Sequence, residues 1–260
     1  MADKLKLKFN KENFGDFISK LKDLTTIDDT IKLKIDNDNI LMYSMLGGSI
    51  MLAFKNYQVN TKDYFDLKED IEDAYDIVLA NTSKLVKNLD FLKEASSITM
   101  TINYKPSPDN ESIMVARSVQ INGGKLKVNW VAGERYEVRD IDKNSLKQRL
   151  DLKNRNWSFV LTNSQFSDVK KLSNINSDKI ISINVNNGKV TISETSAWDL
   201  EIGEIEKRSE SFIFNKRFFK CINSDRDEIE FSLFDTFILI KDHNSNLMLS
   251  YEQDFDDDDI

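Results

Sequence analysis

The sequence is poor in the residues that build compact chemical sites. It holds one cysteine, one histidine, 2 prolines and 8 glycines among 260 residues. A single cysteine, Cys221, excludes an internal disulfide and fits a reducing compartment. One His with one Cys also excludes a zinc site made of several such ligands. The histidine, His243, lies in a polar run between two apolar segments, which predicts a surface hairpin turn.

Long apolar segments and phosphate loops are also missing from the sequence. No apolar run approaches the roughly 20 residues that a helix needs to cross a bilayer. The first ten residues, MADKLKLKFN, alternate Lys with Leu and do not read as a secretory signal. The adjacent glycines in INGGKLKV lack the spacing of a phosphate-binding loop. We therefore expect a cytoplasmic location.

What is present is a composition that can build a core. Hydrophobic residues make up 40% of the chain and charged residues 31%, which is typical of globular proteins. The length allows one large domain or two of about 130 residues. The chain carries 36 Lys plus Arg against 44 Asp plus Glu, for a net charge of −8.

One succession of elements occurs twice along the chain. LKLKF alternates like a strand, NKENFGDFISKLKDL has helical spacing, and IKLKID and ILMYS flank an NDN turn. The same order returns with WSFVL, TNSQFSDVKKLSNI and a hairpin around NNG. Self-similarity at a separation of about 150 residues predicts two domains of one fold.

Each half then contains a second copy of this strand–helix–strands module. The predicted helices of the four modules span residues 10–24, 81–95, 163–175 and 215–223. A polar insert at about 56–77 has no clear periodicity, so the sequence predicts neither helix nor strand there. The pattern predicts an α+β protein built from antiparallel strands and short helices.

The segment joining the two halves, residues 140–156, is strongly charged but carries regularly spaced apolar residues. Ile141, Leu146 and Leu150 would serve no purpose in a purely solvated linker. The segment fits three structures: a short helix packed on its own domain, a strand of the first domain, or one wall of a docking groove.

Four such modules joined by one long connector resemble the DNA sliding clamps of the proliferating-cell-nuclear-antigen type and their phage and viral relatives. The resemblance rests on FNKENFGDFISKLKDL near the start and on YEVRDIDKNSLKQRLDLKNRNWSFVLTNSQFSDVKKL in the middle. It implies two similar clamp-fold domains, with helices inside and antiparallel sheets outside. The expected segments are a first domain at 1–139, a connector at 140–156, a second domain at 157–252 and an acidic tail at 253–260.

The resemblance also implies a function. A clamp is a DNA polymerase processivity factor that encircles duplex DNA, binds without reading sequence, and performs no reaction of its own. It implies a homotrimeric ring, a polymerase partner and an ATP-dependent clamp loader, with neither cofactor nor metal nor catalytic residue. Residues 124–131 of one chain would meet 197–205 of the next. In a phage or virus the location would be the host cytoplasm.

The predicted helices are more basic than the rest of the chain, which fits either helices that line a DNA-encircling ring or ordinary amphipathic helices that carry Lys on their solvent side. The four predicted helices together carry a net charge of +5, so the remaining residues carry −13. Flexible cations neutralise phosphates without reading bases. The candidate DNA-binding residues are Lys20, Lys84, Lys87, Lys170, Lys171, Lys216, Arg217 and Lys220. In the connector, Ile141, Leu146 and Leu150 are the candidate pocket for partner peptides.

Two other classes of protein remain open from the sequence. One is an enzyme with a carboxylate-bound metal, such as a nuclease, since 44 acidic residues offer many ligand sets. The other is a β-rich structural protein, such as a virion component, with fortuitous repeats. Ring formation with enclosure of DNA would separate a clamp from both.

Overall fold

The computed structural model describes residues 4–47, 52–67, 71, 75–107, 114–175, 179–194, 197–206, 208–223, 227–242 and 245–251. The chain divides into two compact units, of which unit 1 comprises residues 1–45 and 55–141, and unit 2 comprises residues 46–54 and 142–260. The division falls inside the predicted connector, and residues 46–54, expected in the first domain, group with unit 2. His243 and the predicted acidic tail lie outside the described residues.

Unit 1 alternates strands and helices in the predicted order. Its elements are β1 (Lys4–Phe9), α1 (Lys11–Leu24), β2 (Ile31–Ile35), β3 (Asn39–Leu46), β4 (Ala53–Asn60), α2 (Thr61–Tyr64), β5 (Phe65–Asp66), β6 (Tyr75–Leu79), α3 (Thr82–Asp90), β7 (Ile98–Pro106), β8 (Met114–Gly123) and β9 (Leu126–Val131). A 3-10 turn at Arg135–Glu137 follows β9.

Two sheets and a helix pair build the core of unit 1. One sheet has the strand order β5–β1–β7–β8–β9, and in the other β4, β3, β2 and β6 follow in this order. Helix α1 packs against α3. The ring of Phe9 lies 4.8 Å from that of Phe14 and 4.6 Å from that of Phe65. Apolar residues at helical spacing, such as Phe14, Phe17 and Leu21, fix which side of α1 is buried.

Unit 2 repeats this arrangement with shorter helices. Its elements are α4 (Lys143–Arg149), a 3-10 turn (Leu152–Asn154), β10 (Trp157–Thr162), α5 (Asn163–Ser173), β11 (Ile180–Asn186), β12 (Lys189–Glu194), β13 (Trp198–Glu204), β14 (Glu210–Asn215), a 3-10 helix (Lys216–Cys221), β15 (Glu228–Leu233), β16 (Phe237–Asp242) and β17 (Ser245–Ser250).

Unit 2 also has two sheets and two packed helical segments. One sheet has the order β13–β12–β11–β14, and in the other β10, β15, β16 and β17 follow in this order. Helix α5 packs against the 3-10 helix, and Phe159 stacks on Phe231 at 4.8 Å between ring centroids. The predicted NNG hairpin is confirmed, because Asn187 and Gly188 adopt φ values of 55° and 92° between β11 and β12.

The structure differs from the predicted elements at three places. Helix α3 ends at Asp90 rather than near residue 95, because turns replace it from Phe91 onward. The helix predicted at 215–223 is a six-residue 3-10 helix. The insert at 56–77 begins inside strand β4, continues as the one-turn helix α2, and supplies β5, which pairs with β1.

Candidate nucleic-acid interface

One polar face of α1 is covered by ion pairs instead of facing solvent. Lys20, predicted to contact DNA, is buried, and its Nζ lies 2.6 Å from Oδ2 of Asp16. The hydroxyl of Tyr64 also donates to Asp16, and burial, with the nearby carboxylate, raises the pKa of Tyr64 well above its ordinary value. The ammonium group lies over the rings of Tyr57 and Tyr64. This placement argues against a phosphate contact, so we leave Lys20 out of the proposed DNA-binding set.

The same face of α1 continues to Asp23. The side chain of Lys55 on β4 is fully buried, and its Nζ lies 2.6 Å from Oδ2 of Asp23. The hydroxyl of Tyr57 donates to the same oxygen. Tyr57 and Tyr64, in the segment that had no predicted structure, therefore pack on the acidic side of α1, where Asp16 and Asp23 supply the carboxylates that the buried ammonium groups of Lys20 and Lys55 require.

The open side of α1 carries two lysines that the sequence analysis missed. Lys11 and Lys22 are exposed, and Gly15 and Ser19 lie between them at spacings of three to four residues, which places all four on one face. A Cβ on Gly15 would meet no atom within 4 Å, so this face is unobstructed within the described structure. The sequence does contain a sign of this face: residues 11, 15, 19 and 22 recur every three to four positions, and none of them belongs to the apolar face.

Helix α3 presents the predicted cations to solvent. Lys84 and Lys87 are exposed, while Leu85 and Leu89 are buried on the opposite side. Among the described residues, no carboxylate lies within ion-pair distance of Lys84 or Lys87, whereas the neighbouring Lys93 pairs with Asp90 at 2.7 Å. The i, i+3 pair is therefore available for an anionic ligand.

Of the two lysines of helix α5, one makes contacts within the protein and the other is exposed. The Nζ of Lys170 donates to the carbonyl oxygen of Ile222 at 2.9 Å and lies 4.7 Å from the ring centre of Phe166. Lys171 is exposed, and its Nζ lies 3.3 Å from Asp168 one turn earlier. Such an exposed pair is worth little, so Lys171 can exchange Asp168 for a phosphate.

Of the three cations on the 3-10 helix, one is paired inside the protein and two are exposed. Lys216 is largely buried and pairs with the fully buried Glu194, whose other oxygen accepts a 2.9 Å hydrogen bond from Trp198. Arg217 is exposed, with its guanidinium 4.7 Å from the ring centre of Phe218, and Lys220 is exposed. The predicted cluster of three is thus a pair at the surface, because the third cation neutralises a buried carboxylate.

A small cavity lies where α5 meets the 3-10 helix. Its volume is about 320 Å³, and it is lined by Lys170, Ser173, Asn174, Phe219 and Lys220. Among the described residues, two lysines and no acidic residue line this cavity, which favours an anion over a cation there.

The connector begins at a charge cluster in unit 1, in which a half-exposed aspartate meets two lysines. The Oδ1 of Asp140 lies 3.0 Å from Nζ of the fully buried Lys32 and 2.5 Å from Nζ of Lys34. Burial alone would raise the pKa of Asp140, but hydrogen bonds from Lys34 and Lys32 hold it below its ordinary value. Asp76 lies 3.6 Å from the same Lys32. These contacts fix the first residue of the connector to strand β2.

Backbone hydrogen bonds hold the neighbouring residues. The hydroxyl of Tyr43 donates to the carbonyl oxygen of Arg139 at 3.2 Å, and Nζ of Lys34 donates to that of Ile141 at 3.0 Å. The connector then forms α4, whose first turn is capped by Asp142. Of the predicted pocket residues, Leu146 is buried, whereas Ile141 and Leu150 are half-exposed.

Within the described ranges, no group of three His, Cys, Asp or Glu side chains is close enough to hold a metal ion. In the same ranges, no helix is long and apolar enough to cross a membrane.

Comparison with known proteins finds likeness in structure alone. No protein-family model and no curated protein matches the sequence significantly. A putative DNA polymerase III beta subunit from Eubacterium rectale matches with a TM-score of 0.65 and 12% identity, over 95% of this chain and 65% of that chain. The Helicobacter pylori beta clamp, solved with a DNA ligase peptide, matches with a TM-score of 0.66 at 12% identity, over 97% and 66%. PCNA from Thermococcus kodakaraensis matches with a TM-score of 0.61 at 12% identity, over 95% and 99%.

The chain has the fold of the DNA sliding clamps. It spans about two thirds of the bacterial beta clamps that it matches and nearly all of the archaeal PCNA chain. The predicted α+β clamp fold is therefore confirmed, as is the resemblance on which it was based.

Within this clamp fold, the structure sorts the eight predicted cations by exposure. Five lie at the surface, and three are engaged inside the protein: Lys20, Lys170 and Lys216. The exposed group is Lys84, Lys87, Lys171, Arg217 and Lys220. We call these five, together with Lys11 and Lys22, the exposed cation set.

Proposed function

We propose that three copies of this chain close into a ring around duplex DNA and act as a processivity factor for a DNA polymerase. The observation that carries the proposal is the match to Thermococcus kodakaraensis PCNA, which extends over 95% of this chain and 99% of that one. Such a ring retains a polymerase by enclosing DNA and performs no reaction, so the proposed role is that of a scaffold and not of an enzyme.

The exposed cation set supplies the proposed DNA contacts. Its members lie on the helices of both units and have long flexible stems. Lysine and arginine of this kind neutralise phosphates and release counterions without reading bases. Binding would be independent of sequence, which suits a ring that slides.

The connector supplies the proposed partner site. Ile141 and Leu150 are half-exposed apolar residues in a charged segment, and apolar side chains of this kind can receive the anchors of short peptides. The Helicobacter pylori beta clamp was solved with a DNA ligase peptide, so peptide capture is known on this fold. We propose a polymerase and an ATP-dependent loader as the partners, in the host cytoplasm if the source is a phage or virus.

Topological retention on DNA tests this function. The full chain is incubated with a loader, ATP and a nicked circular plasmid, and bound protein is separated by gel filtration. We expect retention on the circle and loss after one restriction cut, because a ring slides off a free end. Equal retention on circular and linear DNA would contradict enclosure and would indicate ordinary surface binding.

A further inference from the structure

The cavity between α5 and the 3-10 helix brings positive charge together in unit 2. Lys170 is held in its wall by the hydrogen bond to the carbonyl oxygen of Ile222, and Lys220, which also lines the cavity, is exposed. Ser173 is only 5% exposed, and its hydroxyl donates to the carbonyl oxygen of Lys170 at 3.0 Å. Phe219 lines the cavity and is itself buried. Cations in such a wall suit the oxygens of a carboxylate or a phosphate.

Arg217 adds a third cation beside this cavity. Side chains at positions i and i+3 of a 3-10 helix lie on the same side, so Arg217 is next to Lys220 on the helix that spans Lys216–Cys221. Among the described residues, neither of them has a carboxylate within ion-pair distance, whereas Lys216 on the same helix pairs with Glu194. We call the cavity together with Arg217 the basic cavity, and its cations are Lys170, Arg217 and Lys220.

The chain leaves unit 2 near the basic cavity. Tyr251 is fixed there, because its hydroxyl donates to the carbonyl oxygen of Phe234 at 2.7 Å. The ring centre of Tyr251 lies 5.2 Å from that of Phe214, which lies 6.5 Å from that of Phe219. The rings of Tyr251 and Phe219 are therefore no more than about 12 Å apart. The residues that follow Tyr251 begin close to the cavity that Phe219 lines.

The nine residues after Tyr251 have the charge that is opposite to this cavity. Residues 252–260, EQDFDDDDI, contain Glu252 and five aspartates and no basic residue. Nine extended residues span about 30 Å. This length exceeds the distance between the two rings more than twofold, so the segment can follow the surface of unit 2 and still reach the basic cavity.

We propose that the acidic segment 252–260 folds back onto the basic cavity of its own unit and occupies it when DNA is absent. Its carboxylates pair with Arg217 and Lys220 at the rim and with the cavity that Lys170 lines. A tether this short gives the segment an effective concentration in the millimolar range, so that weak individual ion pairs suffice to hold it. Salt weakens the contact, because ions screen exposed charges.

The consequence for DNA rests on the proposed function, in which Arg217 and Lys220 contact phosphates. A duplex and the acidic segment then compete for the same cations. The segment acts as an internal competitor, and the apparent affinity for DNA falls with the fraction of molecules whose basic cavity is occupied.

A labelled peptide tests the contact without DNA. The probe is a fluorescein-labelled peptide with the sequence of residues 252–260, and fluorescence anisotropy measures its binding. The acceptor is the full chain with a neutralised segment, the five-asparagine chain, which carries Asp254→Asn, Asp256→Asn, Asp257→Asn, Asp258→Asn and Asp259→Asn. We expect saturable binding to this chain and weaker binding to the wild type, whose basic cavity already holds its own segment.

Substitutions in the basic cavity locate the contact. Arg217→Ala with Lys220→Ala, added to the five-asparagine chain, should weaken peptide binding by about ten-fold, because two exposed charge contacts are lost. Lys147→Ala with Lys153→Ala is the matched control. It removes the same charge from exposed residues of α4 and of the 3-10 turn that follows, and it should leave peptide binding unchanged. Circular dichroism confirms that each variant is folded.

A double-mutant cycle tests the competition with DNA. In the wild-type background, the five asparagines should raise the affinity for a short fluorescent duplex by about three-fold or more, because every basic cavity is then unoccupied. In the background of Arg217→Ala with Lys220→Ala, they should have no effect, since the segment has lost its site. A general repulsion between the segment and DNA would instead give the same gain in both backgrounds.

The two experiments separate the acidic segment from the proposed DNA function. If the peptide does not bind the five-asparagine chain, or binds equally well after Arg217 and Lys220 are replaced, the proposal is overturned. An equal gain of DNA affinity in both backgrounds overturns the competition. If no variant binds the duplex while the peptide follows the expected pattern, the site of the segment stands and the proposed DNA binding fails.

Discussion

Among the described residues, burial separates the lysines that pair inside the protein from those that face solvent. Lys20, Lys32 and Lys55 are buried, and each lies within ion-pair distance of an aspartate. Lys84 and Lys87 have the same side chain but face solvent. Removing one partner of a buried pair leaves an uncompensated charge, whereas removing an exposed lysine costs little stability.

Exposed cations should control DNA binding without controlling stability. In a triple variant with Lys84→Ala, Lys87→Ala and Lys220→Ala, we expect unchanged folding and shorter products in primer extension with loader and polymerase. The salt dependence of synthesis should flatten, because each lost phosphate contact lowers the slope of log K against log salt by about 0.9. Extension length measured across a salt series gives both quantities.

Two control variants show whether an effect of the triple variant is specific to the exposed cation set. Alanine at Lys4, Lys6 and Lys8, on β1 of the five-stranded sheet, removes the same charge and should leave the salt slope unchanged. Lys20→Ala should lower the free energy of unfolding by about 0.5–3 kcal/mol, because the buried stem of Lys20 is lost together with its contacts to Asp16, Tyr57 and Tyr64. A triple variant with wild-type extension and slope would show that the exposed cation set does not meet DNA.

Asp140 should give the protein a measurable acid sensitivity. Its pKa lies below the ordinary value of 3.8 in the folded chain, so its ion pairs stabilise the fold above that value. This contribution is lost as pH falls through the folded pKa. We expect the thermal midpoint of Asp140→Asn to fall less between neutral and acidic pH than that of the wild type. Parallel pH profiles of the two proteins would contradict a stabilising role for this cluster.

At the scale of elements, some faces of a helix pack inside the protein and others remain exposed for binding. Helix α1 gives one face to the core, one to buried ion pairs and one to solvent. Helix α4 buries Leu146 and leaves Leu150 half-exposed one turn later. A helix such as α1 can therefore bind a ligand only through the face that is left exposed once core packing and ion pairs have covered the others.

The connector should bind partner peptides through its exposed apolar residues. Leu150→Ala should weaken binding of a polymerase C-terminal peptide by about 2 kcal/mol if Leu150 lines the anchor pocket, with unchanged oligomeric mass. Leu146→Ala is the informative contrast, because Leu146 is buried and its loss should lower stability first. Titration calorimetry measures the affinity, and equal peptide affinity of Leu150→Ala and wild type would place the pocket elsewhere.

At the scale of the whole molecule, the internal repeat supports the proposed assembly. Each chain has two units with the same succession of strands and helices. In the proposed ring, three chains supply six such units, and a head-to-tail contact between them closes the ring. Closure, and not affinity for bases, would then give a long residence time on DNA.

The solution mass should be near three times the chain mass of 30.1 kDa. We expect a concentration-dependent trimer in sedimentation equilibrium, with a central hole visible by electron microscopy. Weak rings would show monomer at low concentration and trimer at high concentration. A stable dimer or a compact tetramer at every concentration would rule out a ring of three two-unit chains.

The sequence alone determined the class of fold and the position of most elements. Periodicities of 3.6 and 2 place residues on faces wherever one side is buried, so α1, α5 and the NNG hairpin could be predicted. The repeat also indicated the clamp fold, although no sequence relative matches significantly. These features are local, or they recur within the chain, and need no long-range contact to be recognised.

Only the tertiary structure decided which charges are free. Lys20 meets Tyr64 across 44 residues, and Lys216 meets Glu194 across 22. The i, i+4 spacing of Asp16 and Lys20 is local, but the burial of Lys20 beneath Tyr57 and Tyr64 and the pairing of Lys216 with Glu194 depend on the packing of segments distant in sequence. The same holds for Phe91 and Ile175, whose exposure depends on where α3 and α5 end against their sheets. Secondary structure follows from the spacing of side chains, whereas the surface follows from what packing leaves uncovered.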